Sequence, residues 1–228
     1  MGKPPAFRPS EARKETIATR VAGVLRAEIL AADLPPGGKI NLDRLRERLG
    51  VSLAPVREAM TRLVADGLVE VEDQRGYRVA PVSSANLTEI TQLRLALEPL
   101  ALETAIARGS LEWEGAVLAA LHRLERTPPA DPGRAAAHRA FHAALADGAA
   151  MPMLAAFCLR LLDLTGRYLA LLGPVQVEAP DHAAIAAAAV SRRGAEACDL
   201  LTRHIAASGA ALAAARAARP AAFEEERP

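Results

Sequence analysis

The segment from Gly50 to Gly67 combines helix-capping residues with an apolar pattern of helical period. Ser52 is a favourable N-cap, Pro55 falls in the first turn, where its missing N–H costs nothing, and Gly67 is a natural helix end. The pattern therefore predicts a helix from Leu53 to Asp66 with one apolar face and one outward face. The inward residues are Val56, Ala59, Met60, Leu63 and Val64, and the outward ones are Leu53, Arg57 and Thr61.

Two more helical segments precede this one. Asn41 to Leu49 has leucines on one face, and Gly50-Val51 leaves room only for a tight turn before the next helix. Upstream, Ser10 to about Ala32 keeps a helical period until the Pro- and Gly-rich residues from Leu34 to Gly38 end it. Lys39-Ile40 is a short extended piece in between. Three helices connected in this way predict a helix-turn-helix unit.

The apolar period changes from 3.6 to 2 after Gly67, and Asp73 to Gly76 has the composition of a turn. A β-hairpin at this place predicts a winged helix-turn-helix domain over residues 10–81. At the hairpin tip, Arg75 beside Gly76 can place a guanidinium and a bare backbone near a phosphate or a narrow minor groove. An ordinary solvated turn is the alternative, which the preceding helices disfavour. The alternating residues are Leu68, Val69, Val71, Tyr77 and Val79.

Beyond Pro81 every apolar pattern is helical. A linker at 82–86 and an all-helical domain at 87–218, an antiparallel bundle of six to seven helices, are predicted. Residues 1–9 are expected to form a flexible arm, and residues 219–228 a disordered tail. The predicted helices are Leu87–Ala107, Leu111–Arg126, Arg134–Asp147, Pro152–Leu172, Asp181–Arg193 and Ala195–Ala218.

The composition supports a mainly α protein and limits its partners. Aromatic residues make up 3% of the 228 residues, while apolar residues make up 51%, a balance typical of close-packed helices. The net charge is +1, and residues 1–80 hold 14 Lys and Arg against 11 Asp and Glu, so DNA binding would depend on where arginines stand. No secretory or membrane-spanning segment is evident, which predicts a cytoplasmic chain without a membrane partner. Cys158 and Cys198 are expected to be buried, reduced thiols.

Four of the five histidines occupy places that suit a metal site. His138 and His142 are four residues apart on one predicted helix, so their rings share a face, and His182 and His204 come from two further helices. Apolar neighbours direct all four toward the core. The sequence predicts a divalent transition metal bound by these rings, zinc in the first place, with nickel or iron as alternatives. The competing interpretation is that these histidines bind no metal and make ordinary hydrogen bonds within the core. His122 is expected to be exposed or structural.

Two pairs of polar residues in apolar helices are possible anion contacts. Arg94 and Glu98, four apart, form either a helix-surface ion pair or, if that helix lines the histidine cavity, an anchor for the carboxylate of a ligand. Arg167 and Tyr168 could add further anion contacts, or could simply be exposed. All four are predicted effector-binding residues.

The run LPPGGKIN followed by LRERLGVSLAPVREAMTRLVADGLVEVEDQRGYRVAPV resembles the winged helix of GntR-family bacterial transcription regulators, in the branch with a FadR-type all-helical FCD domain. PVREA, GLVEV and RGYRV are the most diagnostic pieces. In the second domain the resemblance is carried by Arg94 with Glu98, by Phe141-His142, and by His182 with His204. It implies a bacterial homodimer that binds a double-stranded DNA operator and a small carboxylate effector. The implied DNA-contacting residues are Ser52, Leu53, Arg57, Thr61, Arg75 and Gly76.

The chain departs from the family pattern at several positions. His138 stands where metal-binding members typically have an aspartate, so a bound ion would keep its full charge and attract an anionic effector more strongly. This variant is similar to the subgroup that includes glutarate-responsive repressors. Leu53 stands where many members carry arginine, and Asp43 where many carry a basic residue, so the operator sequence cannot be taken from relatives.

The expected function is therefore that of a ligand-responsive DNA-binding regulator, a repressor, controlled by a metal and a small organic acid. A metal-responsive regulator without an organic effector is the alternative. A metal-dependent hydrolase is disfavoured, because four histidine ligands leave little room for substrate and water. Glu98 would be its only general base, and that residue is better explained as the partner of Arg94. No catalytic residue is predicted. The effector, the metal, the operator, the regulated genes and the choice between repressor and activator are left open.

Overall fold

A computed structural model describes residues 15–72, 75–173, 175 and 181–219. The predicted arm at 1–9, part of the hairpin turn, and the tail beyond residue 219 lie outside the described residues, as does Ser10, the predicted start of the first helix. The helix itself begins later than predicted, at Ile17, because the Thr16 side chain caps it by accepting from the Thr19 backbone N–H at 3.1 Å. Nine helices occur in the described part of the chain: α1 (Ile17–Leu30), α2 (Leu42–Leu49), α3 (Leu53–Ala65), α4 (Ser84–Arg108), α5 (Leu111–Arg126), α6 (Arg134–Asp147), α7 (Pro152–Leu172), α8 (His182–Val190) and α9 (Gly194–Ala217).

The first three helices pack with a small antiparallel sheet into one core, which confirms the winged helix-turn-helix. The strands are β1 (Lys39–Ile40), β2 (Val69–Glu72) and β3 (Gly76–Val79), in the spatial order β1-β3-β2. The hairpin pairs β2 with β3 as predicted. The extended piece β1 adds a third strand, which the sequence pattern did not indicate, by pairing with Tyr77 and Arg78 of β3.

Caps and turns set the position of α3. Asn41 caps α2 by accepting a hydrogen bond from the Arg44 backbone N–H at 3.0 Å, and Gly50 ends that helix in the left-handed region at φ 63°. Ser52 has the extended backbone of an N-cap, but its side chain makes no capping hydrogen bond, contrary to expectation. The predicted apolar face of α3 is confirmed: Val56, Ala59, Met60 and Leu63 are buried, and Val64 packs against them.

The second domain consists of the six helices α4 to α9, in agreement with the predicted helical bundle. Helix α4 begins at Ser84, three residues earlier than the apolar pattern indicates, because the Ser83 hydroxyl accepts from the Asn86 backbone N–H at 3.0 Å. The segment between the last strand and α4 is correspondingly shorter than the predicted linker. Phe141, Ile185 and other fully buried side chains form the core. In the described part of the chain, no helix is long and apolar enough to cross a membrane.

Helix α7 contacts the short connection between the two domains through Arg167 and Tyr168. Both side chains are buried. Arg167 donates to the Ala80 carbonyl, and the Tyr168 hydroxyl lies 2.9 Å from the Ser83 carbonyl oxygen. The same hydroxyl lies 2.9 Å from the Asn86 side-chain oxygen. The expected surface exposure of these two residues is wrong, because each finds a carbonyl partner in the connecting segment and Tyr168 also contacts the Asn86 amide of α4. The Nε atom of Arg167 is buried without a hydrogen-bond partner among the described residues.

Candidate metal centre and nucleic-acid interface

The outward face of α3 carries the residues predicted to contact DNA. Arg57 and Thr61 are exposed, Ser52 at the start of the helix is exposed, and Leu53 is half-buried. The Thr61 hydroxyl donates to the Arg57 carbonyl at 3.1 Å, so a contact with a phosphate would require this hydroxyl to rotate. The absence of a capping bond at Ser52 leaves that hydroxyl available.

The arginines of this domain fall into two groups. Four arginines are exposed and have no carboxylate partner within the described residues: Arg20, Arg44, Arg57 and Arg75. Gly76 follows Arg75 with φ 97°, a backbone conformation that favours glycine. Arg44 was not among the predicted contacts, although its position opposite the inward leucines of α2 was a signal. The arginines held by carboxylates are Arg26 with Asp66 and Asp163, Arg46 with Asp43, Arg48 with Glu28, Arg62 with Glu58, and Arg78 with Glu72.

Three helices bring the four predicted histidines together. His138 and His142 lie one turn apart on α6, His182 is the first residue of α8, and His204 lies on α9. One ligand nitrogen from each ring can be chosen so that all lie within 4.8 Å of one another. The start of α8 is fixed by Asp181, which accepts from the Ala184 backbone N–H at 2.6 Å. The predicted grouping of these rings is confirmed, and we call it the histidine cluster.

The surroundings disfavour the charged form of two rings of the cluster, His182 and His138. Burial, followed by the charges of His204 and His142, lowers the pKa of His182 to about 3. Burial and the neighbouring rings also lower the pKa of His138 well below its usual range. The Nε2 atoms of His142 and His182 are buried without a hydrogen-bond partner in the described part of the molecule. Buried nitrogens with free lone pairs are costly, and they are the form of imidazole that binds metals.

Glu98 lies directly behind the cluster. Its carboxylate is 2.5 Å from Arg94 Nε and 3.1 Å from His142 Nδ1, and all three side chains are buried. Burial alone would raise the pKa of Glu98, but the charge of Arg94 and the hydrogen bond from His142 outweigh it and lower the pKa to about 2. The ionised carboxylate favours a proton on His142 Nδ1, which leaves the Nε2 lone pair for the cluster. The sequence left two possibilities for Arg94 and Glu98. The exposed ion pair on the helix surface is wrong, because both side chains are buried.

The space beside the cluster is small. A cavity of about 10 Å³ is lined by Glu98, His142 and Cys158, among others. Burial, followed by the charge of Glu98, raises the pKa of the Cys158 thiol to about 11, so this buried cysteine is not a ready thiolate ligand. His122 is exposed and lines a separate surface groove, as predicted. Arg167 and Tyr168, which contact the interdomain connection, are not brought to this site.

A winged helix-turn-helix joined to an all-helical domain that contains a histidine cluster is the architecture of a two-domain DNA-binding regulator. Residues 17–79 match the family described as bacterial regulatory proteins, gntR family, and residues 89–207 match the FCD domain. The chain therefore belongs to the GntR family, in the branch with an FCD domain, and is a DNA-binding transcription regulator.

Known proteins support this assignment along most of the chain. The HTH-type transcriptional repressor GlaR of Escherichia coli is 32% identical over 195 residues, which cover 79% of this chain and 89% of GlaR. The regulator BphR of Paraburkholderia xenovorans is 33% identical over 194 residues, 79% of each chain. The structure of E. coli McbR/YncC superposes with a TM-score of 0.72 at 24% identity, covering 86% of this chain and 97% of McbR/YncC, and supports the fold.

The lowered pKa of His182 predicts an acid sensitivity of the metal-free protein. Below its ordinary value of 6.5, the unfolded chain takes up a proton at this ring, whereas the folded chain does so only near pH 3. The free energy of unfolding should therefore fall as the pH decreases from about 7 to 5, by up to about 1.4 kcal/mol per pH unit from this ring. Urea unfolding in the presence of a chelator measures the slope. His182→Asn should reduce the slope of the free energy of unfolding against pH, and His122→Gln should leave it unchanged. Equal slopes in both variants would refute the attribution of the acid sensitivity to His182.

Proposed function

We propose that this regulator is a repressor whose FCD domain binds a divalent transition metal at the histidine cluster, and that the ligand state of this domain sets its affinity for an operator. The observation that supports the proposal is the convergence of four ligand nitrogens within 4.8 Å of one another. Two of the rings present buried nitrogens for which the described residues offer no hydrogen bond. A metal ion removes that cost, because it accepts the lone pairs of neutral imidazoles.

The residues of the cluster suit such an ion. His138, His142, His182 and His204 would hold it, and Glu98 would orient His142 from behind. The bound ion would supply a dipositive charge in the interior of the domain. A tetrahedral zinc ion would be fully coordinated by four rings, whereas octahedral nickel or iron would retain two positions for carboxylate oxygens. The choice of metal therefore decides whether an organic acid reaches the ion directly.

A small organic acid is the second proposed ligand, with Arg94 as its counter-charge. Arg94 binds Glu98 through Nε and Nη2 and lies 3.4 Å from the Thr165 hydroxyl through Nη1, so part of its hydrogen-bonding capacity is already used. The adjoining cavity of about 10 Å³ is far below the about 300 Å³ or more usual for small-molecule pockets. An organic acid would have to open the site between α4, α6 and α7. The acid would therefore bind only the opened conformation of the domain and stabilise it.

The same small cavity favours the second candidate, a regulator that responds to the metal alone. The two functions separate when operator affinity is titrated with zinc or nickel alone and then with glutarate on the metal-loaded protein. If glutarate changes the operator affinity of the metal-loaded protein further, the result supports the organic effector. A full response to the metal that glutarate does not alter supports the metal sensor.

On the DNA side, we propose that α3 enters the major groove, with Arg57 at a base edge or the adjacent phosphate. Arg44 would contact the phosphate backbone, and Arg75 with Gly76 would approach the minor groove. These three arginines are free of carboxylate partners within the described residues, which leaves their charge for phosphates.

We also propose a homodimer, which presents two copies of α3 to two half-sites. Exposed apolar side chains on α4 and α7 form a suitable face. Leu93 and Leu100 lie one turn on either side of Leu97, which packs into a cluster with residues of α7. Met153 and Phe157 are exposed on α7 itself. Contiguous exposed apolar residues on packed helices are typical of a subunit interface.

The metal proposal predicts one zinc ion per chain after purification without chelators and reconstitution with zinc, together with a rise in Tm. His182→Ala should abolish stoichiometric binding, and His122→Ala, at the exposed histidine, should not. Glu98→Gln should weaken zinc affinity about 10- to 100-fold, because the orientation of His142 is lost. Glu103→Gln, at an exposed carboxylate on the same helix, is its control. Zinc binding that survives His182→Ala undiminished would contradict the proposal.

The DNA proposal predicts that Arg57→Ala costs roughly 1 to 3 kcal/mol in binding and relaxes sequence preference. The probe is a duplex selected by the wild-type protein from a random-sequence library, and affinity is measured by gel shift. Arg203→Ala, at an exposed arginine of α9, should leave the affinity unchanged. An unchanged affinity in Arg57→Ala would remove this residue from the interface.

The dimer proposal predicts that Phe157→Glu produces monomers, because a charge then replaces an apolar contact between subunits. Leu118→Glu is the matched control, since Leu118 of α5 is 48% exposed and Phe157 is 50% exposed. Light scattering after size-exclusion chromatography gives the mass of each. A dimeric Phe157→Glu variant would place the interface elsewhere.

A further inference from the structure

One face of α7 is directed at the DNA-binding domain. Side chains spaced three and four residues apart on this face contact the winged helix or the segment that connects the two domains. Arg160 lies against Gly67, Leu164 packs into the core of the winged helix, and Arg167 and Tyr168 bind the connection. Asp163 belongs to the same face and also binds the helix that carries His138 and His142.

Asp163 is a buried carboxylate shared by two arginines from different domains. Its Oδ2 lies 2.5 Å from Arg26 Nη2 of α1, and its Oδ1 lies 2.7 Å from Arg139 Nε of α6. Arg139 Nη2 also approaches Oδ2, at 3.3 Å. The Asp163 side chain is 5% exposed, whereas those of Arg26 and Arg139 are 27% and 44% exposed, so solvent screens these contacts in part.

The network continues to α3 on one side and to the histidine cluster on the other. Arg26 Nη1 lies 2.5 Å from Asp66, the C-cap residue of α3. Arg139 is the residue directly after His138 and is three residues before His142. A helix moves as a rigid unit, so any displacement of α6 that draws these rings together also displaces Arg139.

Sharing makes the two arginine contacts dependent on each other. Both guanidinium groups reach Oδ2 of Asp163, so a shift of Arg139 changes the position and the charge that Asp163 offers to Arg26. Arg26 in turn holds α1 and the end of α3. Charge alternates along the whole path, from Asp66 through Arg26 and Asp163 to Arg139.

We propose that Asp163 is a positioning residue that couples α6 to the DNA-binding domain, through its shared contacts with Arg139 and Arg26. The coupling is a property of the protein itself, whatever ligand moves α6. It goes beyond the proposed metal binding, and it predicts that the effect of Arg139 on the DNA-binding domain depends on Asp163.

Hydrogen exchange of the full-length protein tests this coupling without any ligand. Arg139 is bound to Asp163, in the helical domain. Arg139→Gln should nevertheless change the exchange rates of peptides covering α1 by at least about two-fold. Without the Arg139 contact, the Asp163 carboxylate takes a different position and its ion pair with Arg26 changes. The change should disappear when Arg139→Gln is made in the Asp163→Asn background. Arg203→Gln, which breaks an exposed Arg–Asp pair on α9, should have no effect on α1 in either background. Unchanged α1 exchange in Arg139→Gln, or the same change in both backgrounds, would overturn the proposal.

Zinc supplies a second, functional measurement. If zinc changes the affinity for the selected duplex in the wild type, the ratio of affinities with and without zinc should approach one in Asp163→Asn, with zinc stoichiometry retained. If the ratio of affinities with and without zinc in Asp163→Asn equals that of the wild type, the proposed coupling is overturned. A wild-type protein that binds no zinc would overturn the proposed metal function instead, and the exchange experiment would still decide on Asp163.

Discussion

Placing four imidazole rings, two buried and two half-buried, together in an apolar helical core is the constraint on which the helical domain depends. Each ring brings a nitrogen that must find a proton, a hydrogen bond or a metal ion, and burial disfavours the protonated form. For His142, the ionised Glu98 accounts for one nitrogen, and Arg94 in turn keeps Glu98 ionised. The other nitrogen faces the cluster with no hydrogen bond to any described residue. The Arg94–Glu98 pair thus directs the lone pair of one ring toward its three neighbours.

Helix α7 ties the same domain to the winged helix. Helix α7 carries the residues that bind the interdomain connection, a leucine in the core of the winged helix, and the carboxylate shared by Arg26 and Arg139. Sites in different domains influence each other only through structure that both can bias. A buried ionic contact shared between α1 and α6 meets that physical requirement, since a change at either arginine alters the charge available to the other.

Much of this architecture could be predicted from the sequence, because helical period, caps and proline or glycine stops are local signals. The bounds of α5, α6 and α7 match their predictions, and the four histidines converge because each has apolar neighbours on one helix face. The orientation of Arg167 and Tyr168 was not predictable in the same way. Their partners are carbonyls of the connecting segment, more than 80 residues away in sequence.

Residues whose role comes from long-range contacts escaped sequence reasoning. Asp163 lies in a leucine-rich helix with nothing nearby to indicate its two arginine partners, which are 137 and 24 residues away. The pairing of β1 with β3 is similar, since a two-residue strand carries no period of its own. Glu98 was predicted as the partner of Arg94, but its second bond, to His142, depends on how α4 packs on α6.

The central claim is that the four histidines of the FCD domain hold one metal ion, and X-ray absorption of zinc-loaded protein tests it most directly. The account predicts one zinc per chain with a first shell of imidazole nitrogens at about 2.0 to 2.1 Å, and loss of that signature in His138→Ala. A shell containing sulfur, or an unchanged spectrum in His138→Ala, would contradict it.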